Sequence, residues 1–270
     1  MTAIVRSHSR MAAPRTLLIP DIHQDGAFLA RILVREPITE FERVILLGDY
    51  FDARDPSCRG PGPARRTAQL IRQLESVLGD RLVLLLGNHD LPYFVHKIAS
   101  RRGASVISDP RGWESILGIA PESQSTARAV CDEWDLAFWR RLRPFAFVQG
   151  VLVSHAGLHR RFWPRRVRSV DRALEKLGEQ WDQALDALAG GGPAHPILSA
   201  GQARGGAVDS VGGLTWLDWD DEFVDDLPVG QIVGHTSTTS RRQHGRSHCI
   251  DYGQCAYGVL EGGELSMRPI

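Results

Sequence analysis

The segment Arg43-Val-Ile-Leu-Leu-Gly-Asp-Tyr-Phe-Asp52 sets the architecture of this chain, and Arg81-Leu-Val-Leu-Leu-Leu-Gly-Asn-His-Asp90 repeats its design. In both segments an apolar run of strand length ends at a glycine, and polar side chains come directly after the glycine. Continuous apolar runs of this length are typical of strands that are buried on both faces. We therefore predict two strands of a covered sheet, each with polar residues at its carboxyl end.

Further apolar runs and helical patterns extend this plan along the chain. Apolar runs at 16–20, 150–154 and 231–234 predict more strands, and the periods at 28–35 and 65–78 predict helices between the first three strands. Strands that alternate with helices indicate the α/β class. Short β-rich pieces at 248–252, 257–261 and 264–267 predict, together with 231–234, a second sheet beside the first.

Two stretches are predicted to be helical insertions into a single domain that spans 16–270. The first, 112–143, contains Trp113, Trp134 and Trp139, which could form a lid or a dimer contact. The second, 169–189, is a helix with an apolar stripe that Ser169 can cap. The arginine-rich, acid-free residues 1–15 are expected to form a disordered leader.

Composition excludes several classes of protein. The 270 residues include 32 Lys+Arg and 32 Asp+Glu, so no chain-wide charge recruits nucleic acid or an anionic membrane. The purest apolar run, 82–86, is far shorter than a membrane span. The four cysteines form no C-x-x-C pair, and we expect free thiols in a reducing compartment and a cytoplasmic location.

Polar residues of the types that bind metals come after five of the predicted strands. They are Asp21 and His23, Asp49 and Asp52, Asn88 with His89 and Asp90, His155, and His235. Asn88 is the sole asparagine of the chain, which makes its position informative. Since open α/β sheets bind ligands at the carboxyl ends of their strands, we expect these five loops to converge on one site.

The ordered series Asp21-x-His23, Gly48-Asp49-x-x-Asp52, Gly87-Asn88-His89-Asp90, His155 and Gly234-His235 resembles the calcineurin-like metallophosphoesterase superfamily. The segments around Asp49, His155 and His235 are most similar to the phosphoprotein-phosphatase branch and to the related bacterial diadenosine tetraphosphatases. Ser237 stands where the nuclease and cyclic-nucleotide branches carry a second histidine. The resemblance implies a two-sheet α/β/β/α sandwich with helical insertions.

The resemblance also implies a centre of two divalent cations about 3.5–4 Å apart. Asp21, His23 and Asp49 would hold one cation, and Asp49, Asn88, His155 and His235 would hold the other, so that Asp49 bridges them. Oxygen and imidazole ligands without thiolate suit manganese, iron or zinc. We expect manganese, with iron and zinc as alternatives.

By the same resemblance, His89 is a general acid that faces the leaving-group oxygen, and Asp52 fixes its tautomer. Two arginines are candidates to bind phosphoryl oxygens. Arg54 stands one residue later than the family pattern, which places its arginine where this chain has Ala53. Arg204 lies between His155 and His235, where the family has a second phosphate-binding arginine.

The expected function is hydrolysis of phosphate monoesters, on a protein or a small molecule, by a metal-bridging hydroxide. A dinucleoside polyphosphate hydrolase of the diadenosine tetraphosphate type is the alternative. A nucleic-acid phosphatase or nuclease, and a non-catalytic nucleotide-binding protein, are further alternatives that the motifs favour less. The expected partner is a phosphate-containing substrate, with neither a membrane nor nucleic acid as partner, and the oligomeric state stays open.

Overall fold

Two five-stranded sheets lie at the centre of the chain, in a computed structural model that describes residues 13–101, 119–190, 192, 194–207, 209–240 and 242–270. Their inner faces pack together, and helices flank them. The architecture is the two-sheet α/β sandwich expected from the sequence.

The first sheet combines the three strands predicted near the start of the chain with two from its end. In spatial order it contains β10 (Glu264–Pro269), β9 (Ala256–Glu261), β1 (Arg15–Ile19), β2 (Arg43–Leu46) and β3 (Leu82–Leu84). β1, β2 and β3 are parallel, with Leu18 opposite Ile45, and β9 is antiparallel to β1. β1 begins at Arg15, which the sequence assigned to the leader.

The second sheet has the spatial order β4 (Phe145–Val148), β5 (Val151–Ser154), β6 (Gly230–Val233), β8 (Ser247–Cys249) and β7 (Arg242–His244). β5, β6 and β8 are parallel. The prediction that all the late strands join this sheet was wrong, because β9 and β10 pair with the first sheet. Apolar patterning reveals that a strand is buried, but the choice of neighbouring strand depends on contacts that are distant in sequence.

The α-helices of the described residues are α1 (Gly26–Arg35), α2 (Pro61–Leu78), α3 (Leu91–Arg101), α4 (Gln124–Glu133), α5 (Leu136–Trp139) and α6 (Val170–Ala189). α6 begins after Ser169, whose hydroxyl accepts the backbone N–H of Arg172 at 3.4 Å. Within the predicted insertion at 112–143, residues 112–118 and therefore Trp113 lie outside the described residues. None of the helices in the described part of the chain is both long and apolar enough to cross a membrane.

Alternate residues of the central strands belong to different layers of the core. Leu17 and Ile19 of β1 pack with the helices, whereas Leu18 packs with Ile45 and with Val153 of the second sheet. Because successive side chains of a strand point to opposite faces, an uninterrupted apolar run fills both layers. This burial on both faces fixes the strands and hence the positions at which they end.

Trp134 and Trp139 belong to the hydrophobic core, which makes them neither a lid nor a dimer contact. Both are essentially inaccessible to solvent. The ring centroid of Trp134 lies 5.0 Å from that of Phe51 and 5.5 Å from that of Tyr50, both in the segment after β2. Its indole Nε1 donates to the carbonyl of Ala68 at 3.2 Å. These tryptophans therefore support the loop after β2.

Candidate metal centre

The polar residues expected to form a site gather at one edge of the sandwich, because the parallel strands of both sheets end there. The segments after β1, β2, β3, β5 and β6 carry, in order, Asp21 and His23, Asp49 and Asp52, Asn88 and His89, His155, and His235. All of the metal ligands expected from the sequence are buried. The structure therefore brings residues that are up to 214 positions apart into one cluster.

Two glycines allow the loops after β2 and β3 to approach each other closely. Gly48 has φ of 102°, a conformation that glycine adopts without steric cost. A Cβ atom on Gly87 would lie 2.1 Å from Oδ1 of Asp49, well inside van der Waals contact. Steric constraints thus explain why glycine precedes Asp49 and Asn88 in the sequence.

Several of the clustered residues have a backbone conformation that non-glycine residues rarely adopt. The φ angles are 45° for His23, 52° for Asp49, 61° for Asp52 and 66° for His235. Each such residue costs about 1–2 kcal/mol relative to ordinary backbone. Strained backbone of this kind concentrates at functional sites, where the surrounding fold holds it in place.

Asp49 is the centre of the cluster. Its Oδ2 lies 3.5 Å from Nε2 of His23 and 3.4 Å from Nε2 of His155. Nε2 of His155 also lies 3.0 Å from Oδ1 of Asn88 and 3.2 Å from Nδ1 of His235. One carboxylate is thus shared between two groups of nitrogen and oxygen donors.

Backbone carbonyls set the orientation of two of these imidazoles. Nδ1 of His23 lies 2.7 Å from the carbonyl oxygen of Asp52, and Nδ1 of His155 lies 2.9 Å from that of Leu47. A carbonyl only accepts, so each Nδ1 carries a proton and each Nε2 faces Asp49, where it can supply a lone pair to a cation once it is deprotonated. This is the arrangement in which metal-bound histidines are held in proteins.

The cluster contains buried nitrogen atoms that lack a hydrogen-bond partner and that could bind a divalent cation. Among the described residues, Nε2 of His23 and Nε2 of His235 are buried without a hydrogen-bond partner. Donor atoms of His23, Asp49 and His89 lie within 4.8 Å of one another, as do those of Asp49, His155 and His235. Buried polar atoms without partners are costly, and a bound cation would satisfy them. The residues present therefore fit metal ions bound by oxygen and imidazole.

The cluster carries concentrated negative charge. Burial disfavours ionisation of Asp49, but His155 and His89 outweigh it and hold the pKa of that carboxyl well below its usual value. Burial likewise opposes protonation of His155, yet the charges of Asp49 and Asp21 raise its pKa to about 9. The buried carboxylates thus attract positive charge into the site.

His89 and Asp52 form a pair at the wall of the cleft above this cluster. Nδ1 of His89 lies 3.0 Å from Oδ2 of Asp52, and the His89 side chain is 28% exposed. Burial opposes protonation of His89, but the nearby charges of Asp49 and Asp52 raise its pKa above the ordinary value. The pair is the juxtaposition expected from the sequence.

Two further residues hold Asp52 in place, and the sequence reasoning missed both. Oδ1 of Asp52 accepts the hydroxyl of Tyr93 and the backbone N–H of Glu122, the latter at 2.8 Å. Tyr93 stands four residues after His89, a spacing that could have drawn attention to it. Glu122 is 70 positions from Asp52, and no local pattern identifies such a contact.

Asp90, which directly follows His89, acts as a brace for the loops. Its carboxylate accepts the backbone N–H groups of Asp49 and Tyr50 at 2.8 Å each and that of Gly87 at 3.0 Å. Burial, reinforced by the charge of Asp49, raises the pKa of Asp90 to about 7. Asp90 thereby joins the loops after β2 and β3.

Both candidate arginines line the cleft, and carboxylates hold each of them. Arg54 donates to Asp21 at 3.0 Å and to the buried Asp251 at 2.9 Å. Arg204 pairs with Asp218 at 2.7 Å and donates to the hydroxyl of Thr236 at 2.9 Å. The side chains of both arginines are 30% exposed. The one-residue shift of Arg54 in sequence therefore leaves its guanidinium inside the site.

The cleft above the cluster has a volume of about 820 Å³ and opens to solvent. Its walls include Arg59, Trp216 and Asp220 in addition to the residues already described. A cleft of this size accommodates a small phosphoester together with part of the group that carries it.

Comparison with known families agrees with this geometry. The family model of the calcineurin-like phosphoesterases matches residues 14–236, which is most of the chain. The chain belongs to the calcineurin-like phosphoesterase family. The expected family was therefore correct, and the matched region contains every strand end that carries the cluster. No curated protein sequence matched this phosphoesterase significantly.

Solved structures share the fold of this phosphoesterase. A cold-active protein-tyrosine phosphatase of the psychrophile Shewanella sp. is 16% identical, with a TM-score of 0.59 over 95% of this chain and 78% of that chain. A mutant of a cold-active protein tyrosine phosphatase is 14% identical, with a TM-score of 0.58 and the same coverage. A metallophosphoesterase from Sphaerobacter thermophilus is 14% identical, with a TM-score of 0.43 over 96% of this chain and 88% of that chain. At these identities the first two likenesses show a common fold.

Proposed function

We propose that this phosphoesterase uses two divalent cations to hydrolyse phosphate monoesters, on a protein or on a small molecule. The position of Asp49 carries the proposal. One of its carboxylate oxygens lies between Nε2 of His23 and Nε2 of His155, at 3.5 Å and 3.4 Å. A carboxylate shared by two imidazole-containing ligand sets is what a pair of neighbouring cations requires.

Asp21, His23 and Asp49 would hold one cation, and Asp49, Asn88, His155 and His235 would hold the other. We propose manganese, because the ligands are hard oxygens and imidazoles without thiolate, and iron or zinc would also suit this set. When bound, the cations supply positive charge to the phosphoryl oxygens and lower the pKa of water, which provides the nucleophile.

His89 would donate the proton that the leaving-group oxygen needs. Its Nδ1 is engaged by Asp52 at 3.0 Å, which leaves Nε2 to act as the proton donor toward the cleft. The charges of Asp49 and Asp52 favour the protonated imidazole that a general acid must be. Tyr93 would keep Asp52 oriented through its hydroxyl.

Arg54 and Arg204 would bind the non-bridging phosphoryl oxygens. Arg54 is held by two carboxylates, those of Asp21 and Asp251, and Arg204 is held by Asp218; both arginine side chains remain partly exposed in the cleft. A guanidinium held by carboxylates is oriented before substrate arrives, and the N–H groups that those carboxylates leave free can face phosphate. The cleft would thus select a dianionic phosphoryl group.

A dinucleoside polyphosphate hydrolase is the alternative proposal, and one residue in the wall of the cleft favours it. Arg59 is exposed and lines the cleft beyond the cluster, where it could contact additional phosphates of a longer chain.

We also propose that residues 16–270 act as one domain with insertions at 112–143 and 169–189. The four free cysteines support a reducing, cytoplasmic setting.

Hydrolysis by metal-stripped protein after addition of manganese, iron or zinc tests the proposal. The substrates are p-nitrophenyl phosphate for a monoesterase, bis-p-nitrophenyl phosphate for a diesterase and diadenosine tetraphosphate for the alternative. Asp49→Asn serves as the inactive variant, and Asp80→Asn, which changes an exposed carboxylate, serves as its matched control. Metal content is measured for every protein.

We expect manganese-dependent turnover of p-nitrophenyl phosphate by the wild type and by Asp80→Asn. Asp49→Asn should lose both cations together, and turnover should disappear with them. Faster hydrolysis of diadenosine tetraphosphate would favour the alternative, and faster hydrolysis of the diester would favour a nuclease. Two bound cations without turnover of any substrate would contradict the proposed activity and favour a nucleotide-binding protein.

A further inference from the structure

A strongly basic segment joins β5 to α6, outside the metal centre. Residues 159–168 read His-Arg-Arg-Phe-Trp-Pro-Arg-Arg-Val-Arg and contain five arginines and no acidic residue. We call this segment the arginine loop. In a chain of zero net charge, such a concentration of positive charge creates a local field that the chain as a whole lacks.

The arginine loop forms one wall of a cavity of about 750 Å³. Asp226, Leu227 and Pro228, which precede β6, form the facing wall. The metal centre lies beyond the opposite end of β6, and the four residues of that strand alone span about 13 Å. The two cavities share no lining residue. A group bound against the arginine loop is therefore not the phosphoryl group that reacts.

Three arginines of the loop are available to a ligand. Arg160 donates to the backbone carbonyl of Asp226 at 2.7 Å, and Arg161 pairs with Asp209. These two contacts anchor the loop. Arg165, Arg166 and Arg168 are exposed and form no ion pair within the part of the chain that the structure describes. The anchored loop thus presents three guanidinium groups whose backbone positions are fixed.

The cavity is not uniformly polar, and this decides which ligand suits it. Its apolar lining residues are Trp163, Pro164, Val167, Leu227 and Pro228. We propose that the cavity docks an acidic segment of a partner protein whose apolar side chains alternate with carboxylates. Carboxylates would pair with the exposed arginines, whose planar forks match their geometry, and apolar side chains would cover the lining.

Two features favour such a polypeptide over single-stranded nucleic acid. Bases bind such sites by stacking on successive exposed aromatic faces, but Phe162 is buried, and Trp163, although it lines the cavity, is half-buried against the core. Asp226 also lines the cavity and would repel a backbone that carries a charge at every unit. A polypeptide can place its carboxylates opposite the arginines and carry no negative charge opposite Asp226.

Fluorescence anisotropy with the full-length protein tests this proposal without reference to catalysis. The probe is a labelled peptide of alternating glutamate and leucine, compared with its glutamine counterpart and with labelled oligouridine. The double variant Arg165→Glu, Arg168→Glu removes and reverses charge at the cavity. The double variant Arg31→Glu, Arg128→Glu makes the same change in net charge at exposed helical positions elsewhere. Thermal unfolding checks that each variant is folded.

We expect the glutamate peptide to bind the wild type, with affinity that falls as salt rises, and the cavity variant to weaken binding at least about tenfold. The control pair should leave the dissociation constant within about twofold. Arg204→Ala, in the metal cleft, should bind the peptide as the wild type does. Equal weakening by both pairs, loss of binding in Arg204→Ala, equal binding of the glutamine peptide or tighter binding of oligouridine would each overturn the proposal.

Discussion

The carboxylate of Asp90 accepts the backbone N–H of Asp49 at 2.8 Å, which ties the loop after β3 to the loop after β2. The same carboxylate accepts the N–H groups of Tyr50 and Gly87. Asp90 is fully buried, so no water replaces these contacts. The spacing of the two loops, and with it the geometry around Asp49, depends on this one side chain.

Replacement of Asp90 by asparagine should therefore destabilise the protein. The asparagine amide can place one oxygen toward these donors, but its NH₂ group would face an N–H, and an unsatisfied buried donor costs about 1–3 kcal/mol. We expect the free energy of unfolding in urea to fall by that amount in Asp90→Asn. Asp80→Asn, at an exposed position, should leave it within about 0.5 kcal/mol. Equal stability of the two variants would show that Asp90 does not brace the loops.

His89→Ala separates proton donation from metal binding. If His89 is the general acid, kcat should fall by about two to four decades while both cations remain bound. The measurements are steady-state kinetics with p-nitrophenyl phosphate and metal content by mass spectrometry. A possible ligand atom of His89 lies within 4.8 Å of those of His23 and Asp49. Loss of one cation in His89→Ala is therefore the contrary result, and it would make His89 a metal ligand. His195→Ala, outside the cleft, is the matched control.

The pH dependence of hydrolysis should change when Asp52 is replaced by asparagine. The charge of Asp52 and its hydrogen bond help to raise the pKa of His89. Asp52→Asn should lower that pKa, and because a general acid works only when protonated, the decline in rate on the alkaline side should begin at lower pH. The measurement is kcat against pH for both proteins. An unchanged alkaline limb would contradict the assignment of His89 as the titrating acid.

Trp134→Ala tests the role of the tryptophans in the core. The indole is wholly buried against Tyr50 and Phe51, so truncation should cost about 3–5 kcal/mol in the free energy of unfolding. Val34→Ala, at a side chain that is 88% exposed, should change it little. Urea unfolding followed by circular dichroism measures both. A change of similar size in the two variants would refute the core assignment.

Local sequence was sufficient to place the central strands and the polar residues at their carboxyl ends. The runs before Asp49 and Asn88 could be recognised because burial on both faces requires continuous apolar residues, which is a local property of the chain. The two-sheet fold and the family could be inferred from the order of these strand ends. Strand partners were harder to predict, and β9 and β10 were assigned to the wrong sheet because pairing is chosen by distant contacts.

The way in which the side chains around these strand ends are held became visible only in three dimensions. Tyr93 and Glu122 orient Asp52, and Asp251 fixes Arg54. The Nε2 atoms of two imidazoles, those of His23 and His155, face Asp49 because backbone carbonyls hold their Nδ1 protons. Such contacts join residues tens to hundreds of positions apart. They depend on direction and distance in space, whereas the sequence records only residue type and local period.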